Sequence, residues 1–253
     1  KKETRLGDVA APIIMMAPKI KVEGTDLLFF LNSEENPQVT IGIAIENGSS
    51  FEKGDIVKIK IPNGVDLNWG EIPLQKQKGF RVKRNGNKII ELKILQSINE
   101  YIALDKIPFN KPSHSIPPFK LVSSFSFAPD TLSLPMEGAI SFGQSKIGMT
   151  KSKLINRLSE ELSLNDILIT EDDSVTTLKT GGIIEIIGNN DYFSFNLNRW
   201  ADVVISGSRG NQKIGINYNK STTDKFVLNI IEDFERGEQV YVSNIPITDI
   251  RKT

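Results

Sequence analysis

Short β-prone runs recur at regular spacing along this chain and are cut by turn residues, and this rhythm constrains its fold more than any other feature. It is clearest in Trp200–Ile250. There Val203–Ser206, Lys213–Tyr218, Lys225–Ile231 and Gln239–Ile245 are separated by Ser208-Arg209-Gly210-Asn211, Ser221-Thr222-Thr223-Asp224 and Glu235-Arg236-Gly237-Glu238. Regularly spaced strands bounded by polar or Gly residues specify an all-β sandwich.

The first half has the same texture. Lys19–Val22 and Asp26–Leu31 flank the turn Glu23-Gly24-Thr25. In Gln38–Glu46, Val39, Ile41, Ile43 and Ile45 share one face, with Thr40, Gly42 and Ala44 on the other, the alternation of a half-buried strand. Asp55–Pro62 alternates likewise. Phe80–Lys83 and Lys88–Leu95 flank Arg84-Asn85-Gly86-Asn87, and an Asn-Gly pair between β-prone runs is a strong hairpin signal. Glu100–Ile107 ends at the Pro-rich stretch Pro108–Pro118, whose core, residues 111–118, reads as a linker. Phe119–Phe127, Thr131–Phe142, Ile167–Thr170 and Gly182–Ile187 read as strands. Only Thr150–Ser163 has helical periodicity, with Leu154, Ile155, Leu158 and Leu162 on one face.

Composition removes several kinds of chemistry. With no Cys, thiol catalysis, disulfides and Cys-ligated metals are excluded. The single His, His114, sits in the Pro-rich stretch and reads as a solvated loop residue. The formal net charge is zero and there is no dense basic run, so the footprint of a nucleic-acid binder is missing, and weak self-repulsion favours association. No apolar run approaches the ~20 residues of a membrane span. The opening Lys1-Lys2-Glu3-Thr4 has no apolar stretch behind it, so no intact signal peptide is expected.

The two halves share an order of signals. Ile56–Ile61, Asn68-Trp69, a hairpin, KIIELKIL and EYIALDKIPF in the first parallel Ile183–Ile187, Arg199-Trp200, a hairpin, KFVLNII and EQVYVSNIPI in the second. Ile107-Pro108 then matches Ile245-Pro246, Lys88 matches Lys225, and Trp69 roughly matches Trp200. An internal repeat follows, with the two Trp residues as equivalent core anchors. The competing reading of a Trp here is an exposed stacking platform for a sugar.

The run VVISG, KIGINY, FVLNIIEDFERGEQVYVSNIPI resembles a β-sandwich (Ig-like) repeat of large secreted or cell-surface bacterial proteins of the surface-layer and adhesin type. In that group a strand often ends in an acidic-Phe-x-x-Gly-acidic turn. Asp233-Phe234-Glu235-Arg236-Gly237-Glu238 matches it, and Phe51-Glu52-Lys53-Gly54-Asp55 has similar chemistry with Ser50 in place of the first acid. The resemblance implies an extracellular, structural or adhesive role and carries no catalytic residues.

Three groups of residues are candidates for function. Ile13, Ile14, Met15 and Met16, between Pro12 and Pro18, form a short apolar strand that packs on its own domain or pairs with the sheet edge of a neighbouring copy. Tyr192 and Trp200 lie in an aromatic-rich segment that suits either a glycan contact or a half-buried strand. Asp166, Glu171, Asp172 and Asp173 offer oxygen ligands to Ca²⁺ but lack EF-hand spacing, and a plain solvated turn is the competing reading.

The sequence therefore reads as two Ig-like β-sandwich domains in tandem. An N-terminal arm spans 1–18, the first domain 19–110, the linker 111–118 and the second domain 119–253, with a short amphipathic helix at about 150–163. The expected function is that of an extracellular structural protein, a subunit of a bacterial surface layer or filament that assembles through strand and sandwich contacts between copies. The first alternative is a carbohydrate-binding or adhesive module of a secreted protein, and the second a glycan hydrolase relying on carboxylates. The expected function is not enzymatic and needs no cofactor, Ca²⁺ being the one candidate ion.

Overall fold

A computed structural model describes residues 19–24, 26–45, 50–75, 78–126, 133–150, 162–188, 191–207 and 209–248. The arm with Ile13–Met16 and residues 151–161 of the expected helix lie outside the described residues.

The protein is an all-β, sandwich-type structure with two hydrophobic clusters. The first lobe comprises β1 (Lys19–Val22), β2 (Leu27–Phe30), β3 (Gln38–Ala44), β4 (Ile56–Lys60), β5 (Phe80–Asn85), β6 (Ile89–Ile94), β7 (Ile102–Pro108), β8 (Ile116–Phe119), β9 (Val122–Phe125), β10 (Leu134–Pro135) and β11 (Ile140–Gly143). The sheet β1-β3-β7 packs on β10-β9-β4-β6-β5, while β2-β11-β8 forms a third sheet. Ile41, Ile43, Val57, Ile59, Ile90, Leu92 and Leu104, all from the inner faces of the first two sheets, are fully buried in one core. The Asn-Gly hairpin forms as expected. Asn85 pairs with Ile89, and Gly86 takes the left-handed conformation (φ 71°) that the turn demands.

The second lobe comprises β12 (Lys146–Met149), β13 (Ile167–Thr170), β14 (Ile183–Ile187), β15 (Ser194–Phe195), a 3₁₀ segment (Leu197–Asp202), β16 (Val204–Gly207), α1 (Gly210–Lys213), β17 (Ile214–Ile216), β18 (Lys225–Ile230), β19 (Gln239–Ser243) and β20 (Ile247–Thr248). Here β12-β13-β19-β16 packs on β14-β18-β17. The core holds Ile169, Ile214, Phe226, Leu228, Val240 and Val242.

Three expectations are corrected. The Pro-rich stretch 111–118 is not wholly a linker, because Ile116-Pro117-Pro118-Phe119 is β8, an edge strand paired with β11. An edge strand bonds on one side only, so it tolerates residues without a donor. The boundary also moves from 119. Residues up to Phe142 belong to the first hydrophobic cluster, and the second begins at Ile167. Ser163, the last residue of the expected helix, instead bridges Pro246, while the Ile247 N–H donates to the Leu162 carbonyl (3.0 Å).

The internal repeat is written in the backbone. Gly54 N–H donates to Ile94 O (3.0 Å), as Gly181 N–H does to Ile230 O (2.9 Å). Leu95 N–H donates to Gly79 O, as Ile231 N–H does to Lys213 O, both at 2.8 Å. Trp69 N–H reaches Asn87 O (2.9 Å), and Phe195 N–H reaches Thr223 O (2.7 Å). Gly70 N–H reaches Pro108 O (2.8 Å), and Asn196 N–H reaches Pro246 O (2.9 Å). Lys106 and Asn244, each just before an Ile-Pro pair, both adopt positive φ (53° and 57°). Strands β1, β3, β4, β5, β6 and β7 thus correspond to β12, β13, β14, β17, β18 and β19.

These bonds correct the equivalence of the two tryptophans, since Phe195, not Trp200, occupies the place of Trp69. Trp69 stacks on Phe109 with centroids 4.6 Å apart and donates its indole N–H to Lys88 O (3.0 Å). Trp200 lies against Phe226 (4.9 Å), and its buried indole N–H has no hydrogen-bond partner. The Phe-Glu-basic-Gly-acidic turns are likewise alike in form but not in place. In both, a carboxylate three residues on accepts the first Glu N–H at 2.8 Å (Asp55 for Glu52, Glu238 for Glu235). One turn leads into β4 and the other into β19, so each lobe brings its buried Phe to the core from the opposite chain.

The sharpest divergence replaces Gly79 by Lys213, which is only 1% exposed. Its ammonium donates to the Asp233 carbonyl and pairs with Glu238 at 3.2 Å. Removing one partner of a buried pair leaves the other charged and unsatisfied. Lys213→Ala is expected to cost about 3–5 kcal/mol in urea unfolding. The double variant Lys213→Met/Glu238→Gln is expected to recover most of that loss.

Candidate functional site

Three places gather side chains with chemical potential. A concavity of about 770 Å³ lies on the first lobe and includes Asn36, Gln38, Thr40, Gln75, Asp105 and Asn110 in its lining. Leu74, Pro73 and Pro108 supply its apolar wall, and Leu74 is almost fully exposed. Gln75 is fixed in place, because its carboxamide accepts the Asp105 N–H (3.0 Å) and donates to the Asp105 carbonyl (3.4 Å). Lys106 lines the groove with positive φ. Asn244 repeats that conformation in the second lobe, so the strain belongs to the shared fold rather than to this groove. The groove offers amide donors and acceptors beside an apolar wall, which suits an extended chain or a polyol.

The second place is the seam between the lobes, where the acids 171–173 lie. Glu171 is buried and spends both carboxylate oxygens internally. One accepts from Asp172 N (2.7 Å) and Thr177 Oγ1, the other from Thr177 N (2.9 Å) and Leu178 N (2.7 Å). Asp172 does the same across the seam. Its Oδ1 accepts from Ser174 N (2.7 Å) and Val175 N (3.1 Å), while Oδ2 accepts from Gln144 N (2.8 Å) and the Ser115 hydroxyl. Ser115 and Gln144 belong to the first lobe, so this carboxylate ties the two lobes together. Gly143 sits against Val175 and Thr177, where an added Cβ would lie 2.6 Å from Thr177 Cγ2.

This geometry corrects the Ca²⁺ reading. The lone pairs of Glu171 and Asp172 are already taken by N–H and O–H donors. Asp173 is exposed at the Gly237 turn, and Asp166 is exposed with its carbonyl accepting from Thr150 N (3.0 Å). Among the described residues no group of three or more acidic, His or Cys side chains is placed to hold a metal ion.

The glycan pair is also separated by burial. Trp200 is 5% exposed, with its ring against Phe226 and Tyr218, so it does not offer a face to a sugar, whereas Tyr192 is half exposed. His114 is exposed, as the sequence reading had it. Ser113 Oγ lies 3.4 Å from its Nδ1 and Asp66 Oδ2 4.0 Å from its Nε2, but all three residues are solvated, without the scaffold a catalytic triad requires.

The third place is the rim of the second lobe. Ile147 and Met149 on β12, and Ile183 and Ile187 on β14, are exposed at strands that end their sheets. The sequence reading did not pick out β12. The signal for it was the likeness of Lys146-Ile147-Gly148-Met149 to Lys19-Ile20-Lys21-Val22. Among the described residues no helix is long and apolar enough to cross a membrane.

No protein-family model matches the chain, and no curated protein matches it. Among solved structures it is similar to a serine-rich repeat adhesion glycoprotein from Streptococcus agalactiae, at 8% identity and TM-score 0.30, over 93% of this chain and 88% of that one. It is also similar to a C-terminal fragment of the major pilin of Streptococcus agalactiae, at 9% identity and TM-score 0.29, over 87% and 78%. At these TM-scores neither likeness carries an argument.

The seam gives a pH prediction. Burial pushes the Asp172 carboxyl up, but the Ser115 hydroxyl and the N–H groups of Gln144, Ser174 and Val175 outweigh it and hold the group below the usual carboxylate range. A depressed value stabilises the fold fully above about pH 4, where the unfolded group is ionised, and the contribution is lost as pH falls through the folded value. Asp172→Asn is therefore expected to melt lower than wild type at neutral pH, with the gap closing in acid. Thermal melts across that range check it.

Proposed function

We propose that this protein is an extracellular structural subunit that associates with copies of itself through its sheet edges, as in a surface layer or filament. The observation that carries the reading is the exposed apolar rim of the second lobe. Ile147, Met149, Ile183 and Ile187 sit on edge strands, the place where proteins that stay monomeric put charge, proline or a covering segment. Zero net charge supports it, because self-repulsion is weak. Purified chain is expected to show a mass that rises with concentration in light scattering and ordered polymers in negative stain. A monomer at every concentration overturns the reading, and surface labelling of intact cells tests the location.

A second reading, an adhesive or glycan-binding module, is favoured by the amide-lined groove of the first lobe rather than by Trp200. Gln38→Ala and Asn36→Ala are expected to abolish binding on a glycan or peptide array without lowering the melting temperature. An array that stays blank with the wild-type chain removes this reading.

A further inference from the structure

The two lobes differ in how they close the gap between their sheets. In the first, β9 pairs antiparallel with the outer edge of β4, with Val57 opposite Phe125 and Lys60 opposite Val122. The same segment runs on through Met136 to Glu137, which closes the outer edge of β1. There Val22 N–H donates to Glu137 O (2.9 Å), and Glu137 N–H donates to Ile20 O (3.4 Å). Leu121, Phe125 and Met136 fill the gap beneath, all buried.

The second lobe has the same gap. The registers place Ile147 and Met149 of β12 opposite Ile169 and Ile167, as Ile20 and Val22 of β1 lie opposite Ile43 and Ile41. They place Ile184 and Ile186 of β14 where β4 has Val57 and Ile59. Yet Ile20 and Val22 are 5% and 3% exposed, while Ile147 and Met149 are 51% and 58% exposed. Val57 and Ile59 are fully buried; of their counterparts, Ile184 is buried at 5% exposed and Ile186 is only partly buried. Among the described residues no counterpart of β9 or Glu137 pairs with β14 or β12.

We infer that the second lobe is an acceptor for a donated strand, and that the donor is the apolar arm segment 11–17 of a second copy. The first lobe shows what the gap takes: an extended chain, antiparallel to the edge strand, with Phe125 and the small Ser123 turned inward beside Leu121 and Met136. The arm supplies one, Ile13-Ile14-Met15-Met16 between two prolines, from residues outside the described structure. Prolines at both ends limit the inserted strand to a short run, the length of β9. Contact between the arm of one copy and the second lobe of the next is head-to-tail, so it propagates into a polymer rather than closing a pair. This inference rests on the self-association reading above and names its two partners.

The test uses full-length chains. An acceptor-blocked variant carries Met149→Lys and Glu185→Pro. Ile56, the β4 equivalent of Ile183, bonds outward to Ser126, so Glu185, two residues on, points its N–H outward too, and the proline spares the ladder to β18. A donor-blocked variant carries Ile13→Asp and Met15→Asp. Both are expected to be monomeric in light scattering with the circular dichroism of the wild type. Mixed, they are expected to form one-to-one heterodimers, because one keeps the donor and the other the acceptor. If Glu185→Pro impairs folding, Ile147→Lys/Met149→Lys replaces it, with the same expected result. A wild type that polymerises while both variants still polymerise overturns the inference and leaves self-association standing. A monomeric wild type overturns both. If Ile147→Lys/Met149→Lys then also lowers the melting temperature, the chain's own segment covers the gap.

Discussion

A sandwich of two open sheets has four edges, and each edge strand points a row of N–H and C=O groups, with the rim of the core behind it, toward whatever lies beside the fold. How those edges are closed decides nearly everything else here. In the first lobe, chain beyond β7 is spent on closure. Segment 116–143 adds β8 and β11 beside β2, lays β9 on β4 and seals β1 with Glu137. In the second lobe the added elements go elsewhere, with β16 covering the outer edge of β19 and α1 turning the chain into β17. The β12–β14 side is left with its apolar rim in water. Half exposing an Ile or Met forgoes about 1 kcal/mol each, a modest cost that the rest of the second core carries.

Comparing the lobes also separates what the fold requires from what each copy has changed. The positive φ of Lys106 would invite a functional reading if it stood alone. Its recurrence at Asn244 marks it as the backbone's way into the Ile-Pro pair. Lys213 in the place of Gly79 is the reverse case, a buried ammonium that one lobe acquired with the carboxylate and carbonyl to hold it. The exchanged phenylalanines make a third case. Phe51 exchanges backbone hydrogen bonds with Ile98, and Phe234 N–H bonds to Leu178 O, so each lobe fills the same corner with one aromatic and one aliphatic residue from opposite partners.

Strands that face water on one side were legible because alternation survives in them. Gln38–Ala44 and Ile167–Thr170 lie where period-two patterning put them. β12 was not, since its two apolar residues, Ile147 and Met149, are too few to set a period, and only comparison with β1 reveals it. β8 was hidden by Pro117 and Pro118, whose missing donors matter only if both edges of the strand are bonded. Residue identity pairs Trp200 with Trp69, whereas the repeat keeps hydrogen-bond position and lets Phe195 stand for Trp69. The acids at 171–173 are the plainest limit. An oxygen-rich turn in sequence is equally a metal site or a set of caps for neighbouring N–H groups, and only the positions of Ser115 and Gln144, far away in the chain, decide between them.

That seam bears on the open rim. Asp172 accepts four hydrogen bonds, two from its own loop and two from the first lobe, and the loop brings Val175 and Thr177 against Gly143 so closely that a methyl group would not fit. A carboxylate satisfied at all these points is a directional tie, because sliding the lobes would strand a buried charge. The first lobe, held there, does not bury the β12–β14 rim, as the exposure of Ile147 and Met149 shows. The two lobes are thus tied at a carboxylate that makes four hydrogen bonds. Among the described residues, the apolar surface left over sits on strands that end their sheets, with no strand paired to their outer edges. A surface with both properties is completed best by another strand, since a strand supplies backbone partners and inward side chains in a single step.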